Sequence, residues 1–338
     1  MKAANLEAPR KLTICDLPKP VAGPGEAVLK VKYAGICGSD ITVYKGDHPT
    51  ATLPVVPCHE ILGVIDSIDA PGSGFQVGDR VTVDPLISCG VCEACRKGHT
   101  HVCKSLKLLG IHENGGFAEY TKVSVSKMVH VPQALSDKVA ALSEPFAVGY
   151  HVMHRSGIRM GDSALVIGGG PIGLVVALTA RAAGASVVIS EPNEKREALA
   201  KSFGFETINP AKEDASAAIA RLTNGDGFDV VYEASGSKAG ILQMTDACKI
   251  RGTMVPRSLS GKAVDFQLGK VSFKELTVVG SRVYEHYHFE RGVELLERLS
   301  KDYDLSKVAT EIYPLEQIQK GFDEMLDGTA TGKILIEL

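Results

Sequence analysis

Cys89, Cys92, Cys95 and Cys103 share one short run, CGVCEACRKGHTHVC. The first three recur every third residue, and the fourth follows a small loop. Thiolates spaced this way on a tight turn converge on a point, and a soft tetrahedral cage of four sulfurs suits zinc. A disulfide knot or four buried small hydrophobes are the alternatives. A disulfide framework belongs to small secreted domains rather than to a chain of 338 residues. A cage closed by four thiolates leaves no position for substrate, so this site reads as structural.

A second run able to do chemistry is Gly168-Gly169-Gly170-Pro171-Ile172-Gly173, a G-x-G-x-x-G match. Alone it is a weak signal, because glycine turns are common. Here an apolar strand precedes it, a helical pattern follows, and the next strand ends at Glu191. Glycines let backbone approach a pyrophosphate, the helix start favours the anion, and an acid about 20 positions on accepts ribose hydroxyls. A plain turn with a surface glutamate is the alternative. Glu191 would repel a 2′-phosphate, which favours NAD over NADP; Arg196, one helical turn further, keeps NADP open.

A third set is Cys37 in GICGSD, the His59-Glu60 pair in PCHE, and Glu144 in SEPF. Each is ordinary alone: a buried thiol, a satisfied core histidine, a carboxylate at a helix start. Together, residues at turns flanking strands suit an open zinc site, which needs only three protein ligands. Ser39 beside Cys37 is a turn residue or a proton acceptor.

The elements that must place these residues change style along the chain. Up to about residue 140, short runs such as AVLKVKYAG, EILGVIDSI, FAEYTKVSV and KMVHVP alternate with Gly and Pro turns, which predicts a barrel or partly open β-fold. From about 160, apolar strands (SALVIG, SVVIS, DGFDVVYEAS, GTMVP) alternate with helical stretches, which predicts a parallel sheet with crossover helices. A helix over FERGVELLERLSK and closing strands to GKILIEL return to complete the first domain.

Composition fits a well-packed soluble enzyme. The chain is 44% hydrophobic and 23% charged, long enough for two domains. With a net charge of −3, nothing in the charge suggests a nucleic-acid surface, and no nucleic-acid partner is expected. The scattered Cys15, Cys37, Cys58 and Cys248 fit a reducing compartment. The first twenty residues hold no apolar run, so a cytoplasmic location is expected. ALVIGGGPIGLVVALTA is too short and too glycine-rich for a membrane span. Repeats and low-complexity segments are lacking.

GICGSD, PCHE, GDRV, the four-cysteine lobe, ENGGFAEY, SEPFAVGYH, GGGPIG and TGKILIEL follow one another along essentially the whole chain. In this order they resemble the zinc-dependent medium-chain dehydrogenases/reductases, in particular the polyol, threonine and sugar-acid branch. GIHENGGFAEY is most similar to bacterial starvation-sensing and galactonate-type oxidoreductases. The resemblance implies an α/β protein: a GroES-like β-rich catalytic domain over residues 1–150 and 286–338, and a Rossmann-type doubly wound parallel sheet over 151–285. It implies that Cys37, His59 and Glu144 bind a catalytic zinc, with Glu60 close enough to join the shell. Cys89, Cys92, Cys95 and Cys103 would hold the structural zinc. Gly168, Gly170, Pro171, Ile172, Gly173, Glu191, Arg196, Ser281 and Arg282 would contact NAD. His112, Phe117 and Arg282 are candidates to line the substrate pocket, with loop, core or surface positions as the alternatives. The implied reaction interconverts a secondary alcohol and a ketone, with zinc as Lewis acid, the nicotinamide carrying hydride and Ser39 passing the proton outward. The implied assembly is a homodimer or homotetramer acting on a small hydroxylated substrate.

The chain departs from the family pattern at three places. Cys58 replaces the usual Gly before His-Glu, Thr42 stands where a His often ends the proton relay, and Val255-Pro256-Arg257 replaces a Val-Gly strand end. The remaining readings are a threonine-type 3-dehydrogenase, a non-catalytic relative that only binds, and a zinc-free quinone reductase. Retention of Cys37, His59 and the lobe argues against the last two.

Overall fold

A computed structural model describes residues 1–257 and 263–338. The chain divides into two compact units, Met1–Glu144 with Glu285–Leu338, and Pro145–Tyr284.

In the first unit the strand Glu26–Ile36 is the axis. Its Ala27, Val28, Leu29, Val31, Ala34 and Ile36 are buried, while Lys30 between them is exposed, as fits an antiparallel strand with one face on the core. Glu60–Asp69 pairs antiparallel along nearly its whole length, and Tyr120–Ser124 and Lys333–Glu337 pair with its two halves. Arg80–Val83, Met128–His130 and Ala309–Pro314 complete a seven-stranded sheet. The C-terminal strand thus lies inside the sheet of the N-terminal segment, with Ile334 opposite Ile36 and Gly35 opposite Glu60. Leu6, Leu29, Ile61, Phe117, Phe322 and Ile334 belong to one buried cluster. Phe322, from the helix Ile318–Leu326, meets Tyr44 and Phe117 edge to face at centroid distances of 5.2 and 6.0 Å.

The second unit is a six-stranded parallel sheet. Its spatial order is Glu206–Ile208, Ser186–Ser190, Ser163–Ile167, Phe228–Glu233, Cys248–Pro256, Thr277–Val278. Numbered along the chain this is 3-2-1-4-5-6, with the reversal between Ser163–Ile167 and Phe228–Glu233, where open α/β sheets bind ligands. The two shortest strands, Glu206–Ile208 and Thr277–Val278, are too brief to announce themselves by period. Among the described residues no helix is long and apolar enough to cross a membrane.

The turn after Ser163–Ile167 is fixed by close backbone approach. Gly168 has φ +102°, and a β-carbon there would lie 2.8 Å from the Ser235 amide nitrogen. A β-carbon on Gly173 would lie 1.8 Å from the Gly168 carbonyl oxygen. Gly173→Ala is therefore expected to push the turn open and to destabilise the protein by about 1–3 kcal/mol, as overpacking does. Urea denaturation reads the effect; an unchanged midpoint would mean that the turn does not approach the helix this closely in solution.

Candidate functional site

Cys37 is the residue before the helix Gly38–Lys45, and His59 and Glu60 close the turn into the strand Glu60–Asp69. Asp40, third in the helix, fixes both turns. Its Oδ2 accepts the Cys37 N–H at 2.8 Å and its Oδ1 accepts the Cys58 N–H at 3.1 Å. The same carboxylate lies 3.9 Å from His59 Nδ1. As a result one donor atom each from Cys37, His59 and Glu60 lie within 4.8 Å of one another.

The turn that carries His59 is clamped from outside. Gly115 and Gly116 donate their N–H groups to the Val56 and Cys58 carbonyls, and Phe117 donates to Pro57. A β-carbon on Gly115 would sit 1.9 Å from the Cys58 carbonyl oxygen. The ENGGF stretch is therefore the brace of the ligand turn. Cys58 itself has φ +89°, the left-handed region that explains a glycine as the usual family residue here. A side chain there is strained by about 1–3 kcal/mol. Its thiol is wholly buried against the Gly35 and Glu60 carbonyls, and burial pushes it well above its ordinary range.

Charge identifies what this group is suited to hold. Burial pulls the His59 imidazole down, but Cys37, Asp40 and Glu144 outweigh it and hold its pKa well above the usual value. Glu144, buried in the first turn of the helix Ser143–Ser156, acts on the site through this charge and stands outside the tight group of three. His59 Nδ1 and Glu60 Oε2 are buried with no hydrogen-bond partner. Unpartnered buried donor atoms are costly, and a soft thiolate, an imidazole and carboxylates together fit a divalent ion such as zinc.

Two side chains beyond the sequence-derived candidates complete the group. Asp40 is one. Lys333 is the other: fully enclosed, it donates to Glu60 Oε1 at 2.6 Å and to the Ile36 carbonyl at 3.2 Å. Ser39 Oγ lies 3.5 Å from Cys37 Sγ and is half-buried. Thr42 Oγ1 donates back to the Gly38 carbonyl, so it is occupied within its own helix.

In the lobe all four cysteines are unbridged. Sγ–Sγ distances are 3.4 Å for Cys92–Cys95, 3.9 Å for Cys92–Cys103 and 4.0 Å for Cys89–Cys95. A tetrahedron with Zn–S near 2.3 Å has edges of about 3.8 Å, so the lobe is already close to zinc geometry. Backbone N–H groups of Val91 and Cys92 pull the Cys89 thiol down to about 6, whereas burial pushes Cys95 up to about 11.

In the second unit, Gly170 precedes the helix Pro171–Ala182, with Pro171 at its first position. No atom would meet a β-carbon at Gly170 within 4 Å, so the space beside the helix start is open. Ile172 is half-buried there and Gly173 buried. Glu191 is 3% exposed and accepts the Gly169 N–H at 2.6 Å and the Asn193 N–H at 2.8 Å. Its carboxylate thus already holds the glycine turn. Arg196 is half-buried on the helix Glu194–Ser202. Ser281 Oγ is buried without a partner, and Arg282 is exposed. Arg257 follows the strand end and donates its N–H to the Glu233 carbonyl.

The two substrate-lining candidates separate. His112 accepts the Leu108 N–H, lies 3.0 Å from Thr50 Oγ1 and borders a cleft of about 520 Å³ in the first unit. Phe117 is 0% exposed in the core, so its alternative as a core residue is the one its position supports.

The chain matches the "Alcohol dehydrogenase GroES-like domain" family over residues 23–133 and the "Zinc-binding dehydrogenase" family over 171–298. It is 38% identical to a 2-dehydro-3-deoxy-L-galactonate 5-dehydrogenase of Pseudoalteromonas atlantica, over 93% of this chain and 92% of the relative. It is 32% identical to an L-threonine 3-dehydrogenase of Shewanella putrefaciens, over 99% of both. A zinc-binding dehydrogenase of Sinorhizobium meliloti solved with NADP superimposes with a TM-score of 0.91 at 30% identity, covering 100% of this chain and 99% of that one. With a GroES-like unit, a Rossmann-type unit and these relatives, the chain belongs to the zinc-binding alcohol dehydrogenase family.

Proposed function

We propose that this enzyme is an NAD-dependent zinc dehydrogenase interconverting a secondary alcohol and a ketone on a polyol, sugar acid or related small substrate. The observation that carries the reading is the convergence of Cys37, His59 and Glu60 around unpartnered buried donor atoms, with Glu144 nearby. Cys37, His59 and Glu144 would hold a catalytic zinc with Glu60 beside it, and the four-cysteine lobe would hold a structural one. Bound there, zinc supplies Lewis acidity that eases loss of the substrate hydroxyl proton, and the nicotinamide accepts the hydride.

The chain's own residues do the rest. Asp40 keeps the Cys37 and His59 turns at fixed separation, which preorganises the donors. Ser39, beside Cys37, takes the hydroxyl proton and passes it toward solvent directly, since Thr42 is bonded to its own helix. The glycine turn and the start of the helix Pro171–Ala182 receive the pyrophosphate. Glu191 faces the ribose while it braces Gly169, with Arg196, Ser281 and Arg282 as further contacts.

A threonine-type 3-dehydrogenase is the second reading, supported by the 32% identical Shewanella enzyme. A panel of polyols, sugar acids and 3-hydroxy amino acids, followed at the nicotinamide absorbance, separates the two. A homodimer or homotetramer is supported by the exposed edge strand Thr277–Val278 and the exposed Leu268 and Phe273 near it. A cytoplasmic location is supported by eight unbridged cysteines.

Three outcomes test this reading. Cys92→Ser should lose one zinc per chain by elemental analysis and melt or aggregate earlier, because the lobe has little core of its own; full zinc at normal stability would remove the structural assignment. Glu191→Gln should keep the Gly169 bond but drop the charge, raising the NADP/NAD preference about tenfold or more by loss of repulsion and of a charged acceptor. A wild type that already prefers NADP would contradict the role given to Glu191. Cys37→Ala should lower kcat by at least about 10²–10³-fold, the loss typical of removing a main electrostatic stabiliser, while NAD still binds by fluorescence titration. Near-wild-type turnover in that variant would refute zinc-assisted chemistry at Cys37.

A further inference from the structure

Asp84 follows the strand Arg80–Val83 and is 1% exposed, yet it has no part in the zinc chemistry at Cys37. Its Oδ1 accepts the Leu86 N–H at 3.0 Å. Its Oδ2 is shared by Lys127 Nζ at 2.8 Å and His286 Nδ1 at 2.9 Å. A carboxylate balanced by a lysine ammonium accepts hydrogen bonds and does not donate them. His286 Nδ1 therefore carries the proton, and the lone pair of the neutral ring lies on Nε2.

His286 is the first residue of the helix His286–Leu299, so Glu290 stands one turn on, on the same face. Glu290 Oε1 lies 3.8 Å from His286 Nε2, too far for a hydrogen bond. That separation is close to the edge of about 3.4 Å between two donors on a tetrahedral ion with bonds of about 2.1 Å. Both residues border a cleft of about 670 Å³ in the first unit, shared with Ser73, Ser124 and Ser126, so water has room to complete an ion's shell. Charge favours a cation at this place. Lys127 balances Asp84, and against the roughly half positive charge of a helix start Glu290 sets a full negative one.

We propose that His286 and Glu290 form a third divalent-metal site, with Asp84 as the carboxylate that orients the ligating imidazole. It uses none of the residues of the Cys37 group or of the four-cysteine lobe, and it stands independently of the zinc reading of both. The ion it suits is a late first-row one such as zinc or nickel, for which imidazole is a favoured ligand. A carboxylate behind a ligating histidine fixes its tautomer and raises its basicity, and buried Asp84 already holds His286 in that way. Two protein donors make an exchangeable site rather than a closed cage of four, so its ion leaves on dialysis.

The test is a calorimetric titration of nickel(II) into the dialysed full-length enzyme, with zinc content measured before and after. Zinc should stay constant while one nickel per chain binds. Asp84→Asn should weaken nickel binding about 10–100-fold, the usual cost of losing an outer carboxylate, and His286→Ala and Glu290→Gln should each weaken it by at least about tenfold. His286 is half-buried and Glu290 exposed, so their variants are expected to fold, and they decide the test where Asp84→Asn does not fold. His99→Ala removes the imidazole paired with neighbouring Glu285 and should bind nickel as the wild type does. A wild type with no saturable nickel binding overturns the proposal, and so does wild-type affinity in His286→Ala, in Glu290→Gln or in folded Asp84→Asn. Nickel uptake matched by zinc loss, or abolished by His99→Ala, places the ion elsewhere and overturns it as well.

Discussion

The carboxylate of Asp40 is fully enclosed, and its oxygens find partners within the protein. It finds them in the N–H groups of Cys37 and Cys58, one on each of the two turns that carry the candidate ligands. Burial pushes the Asp40 carboxyl up, while the neighbouring imidazole and the two N–H bonds pull the other way. A group with such competing demands is costly to misplace. The start of the helix Gly38–Lys45, the Pro57–Glu60 turn and the glycines that clamp it therefore have little freedom relative to one another. Even the strained Cys58 is tolerated, because its N–H is one of the two bonds Asp40 needs.

A second constraint of the same kind operates in the parallel-sheet unit. Glu191 holds the Gly169 N–H at the end of the strand next to Ser163–Ile167, and Gly173 fits directly against the Gly168 carbonyl. The turn is thus set by backbone contacts and one buried carboxylate before any cofactor arrives. In each unit, taken by itself, a buried acid organises backbone N–H groups at that unit's own candidate site. The remaining groups of the first unit, Cys37 and Glu60 beside His59 with Glu144 nearby, are donors of the kinds that suit a metal cation.

The features that were legible in the sequence are those built from near neighbours. The four cysteines, the glycine turn and the strand-helix alternation each carry their signal within a few dozen residues, and the structure places each of them on the expected kind of element. Asp40 lay inside a quoted motif, but its role depends on Cys58, eighteen residues away. Lys333 was further out of reach. It meets Glu60 across a sequence separation of 273 residues, and only the insertion of the C-terminal strand into the N-terminal sheet reveals it. A lysine heading an apolar strand was the one available hint. Phe117 shows the converse limit: next to the glycines of a motif it invites a role in the pocket, yet its aromatic ring is core, packed on Phe322.

The account stands on there being two chemically different metal centres in one chain. X-ray absorption at the zinc edge, combined with elemental analysis of the purified enzyme, tests that directly. The account predicts two zinc ions per chain, and a mean shell that mixes one four-sulfur site with one site of a single sulfur and lighter nitrogen and oxygen donors. A single zinc per chain with a purely four-sulfur shell would contradict it, because the Cys37, His59 and carboxylate group would then not hold a metal.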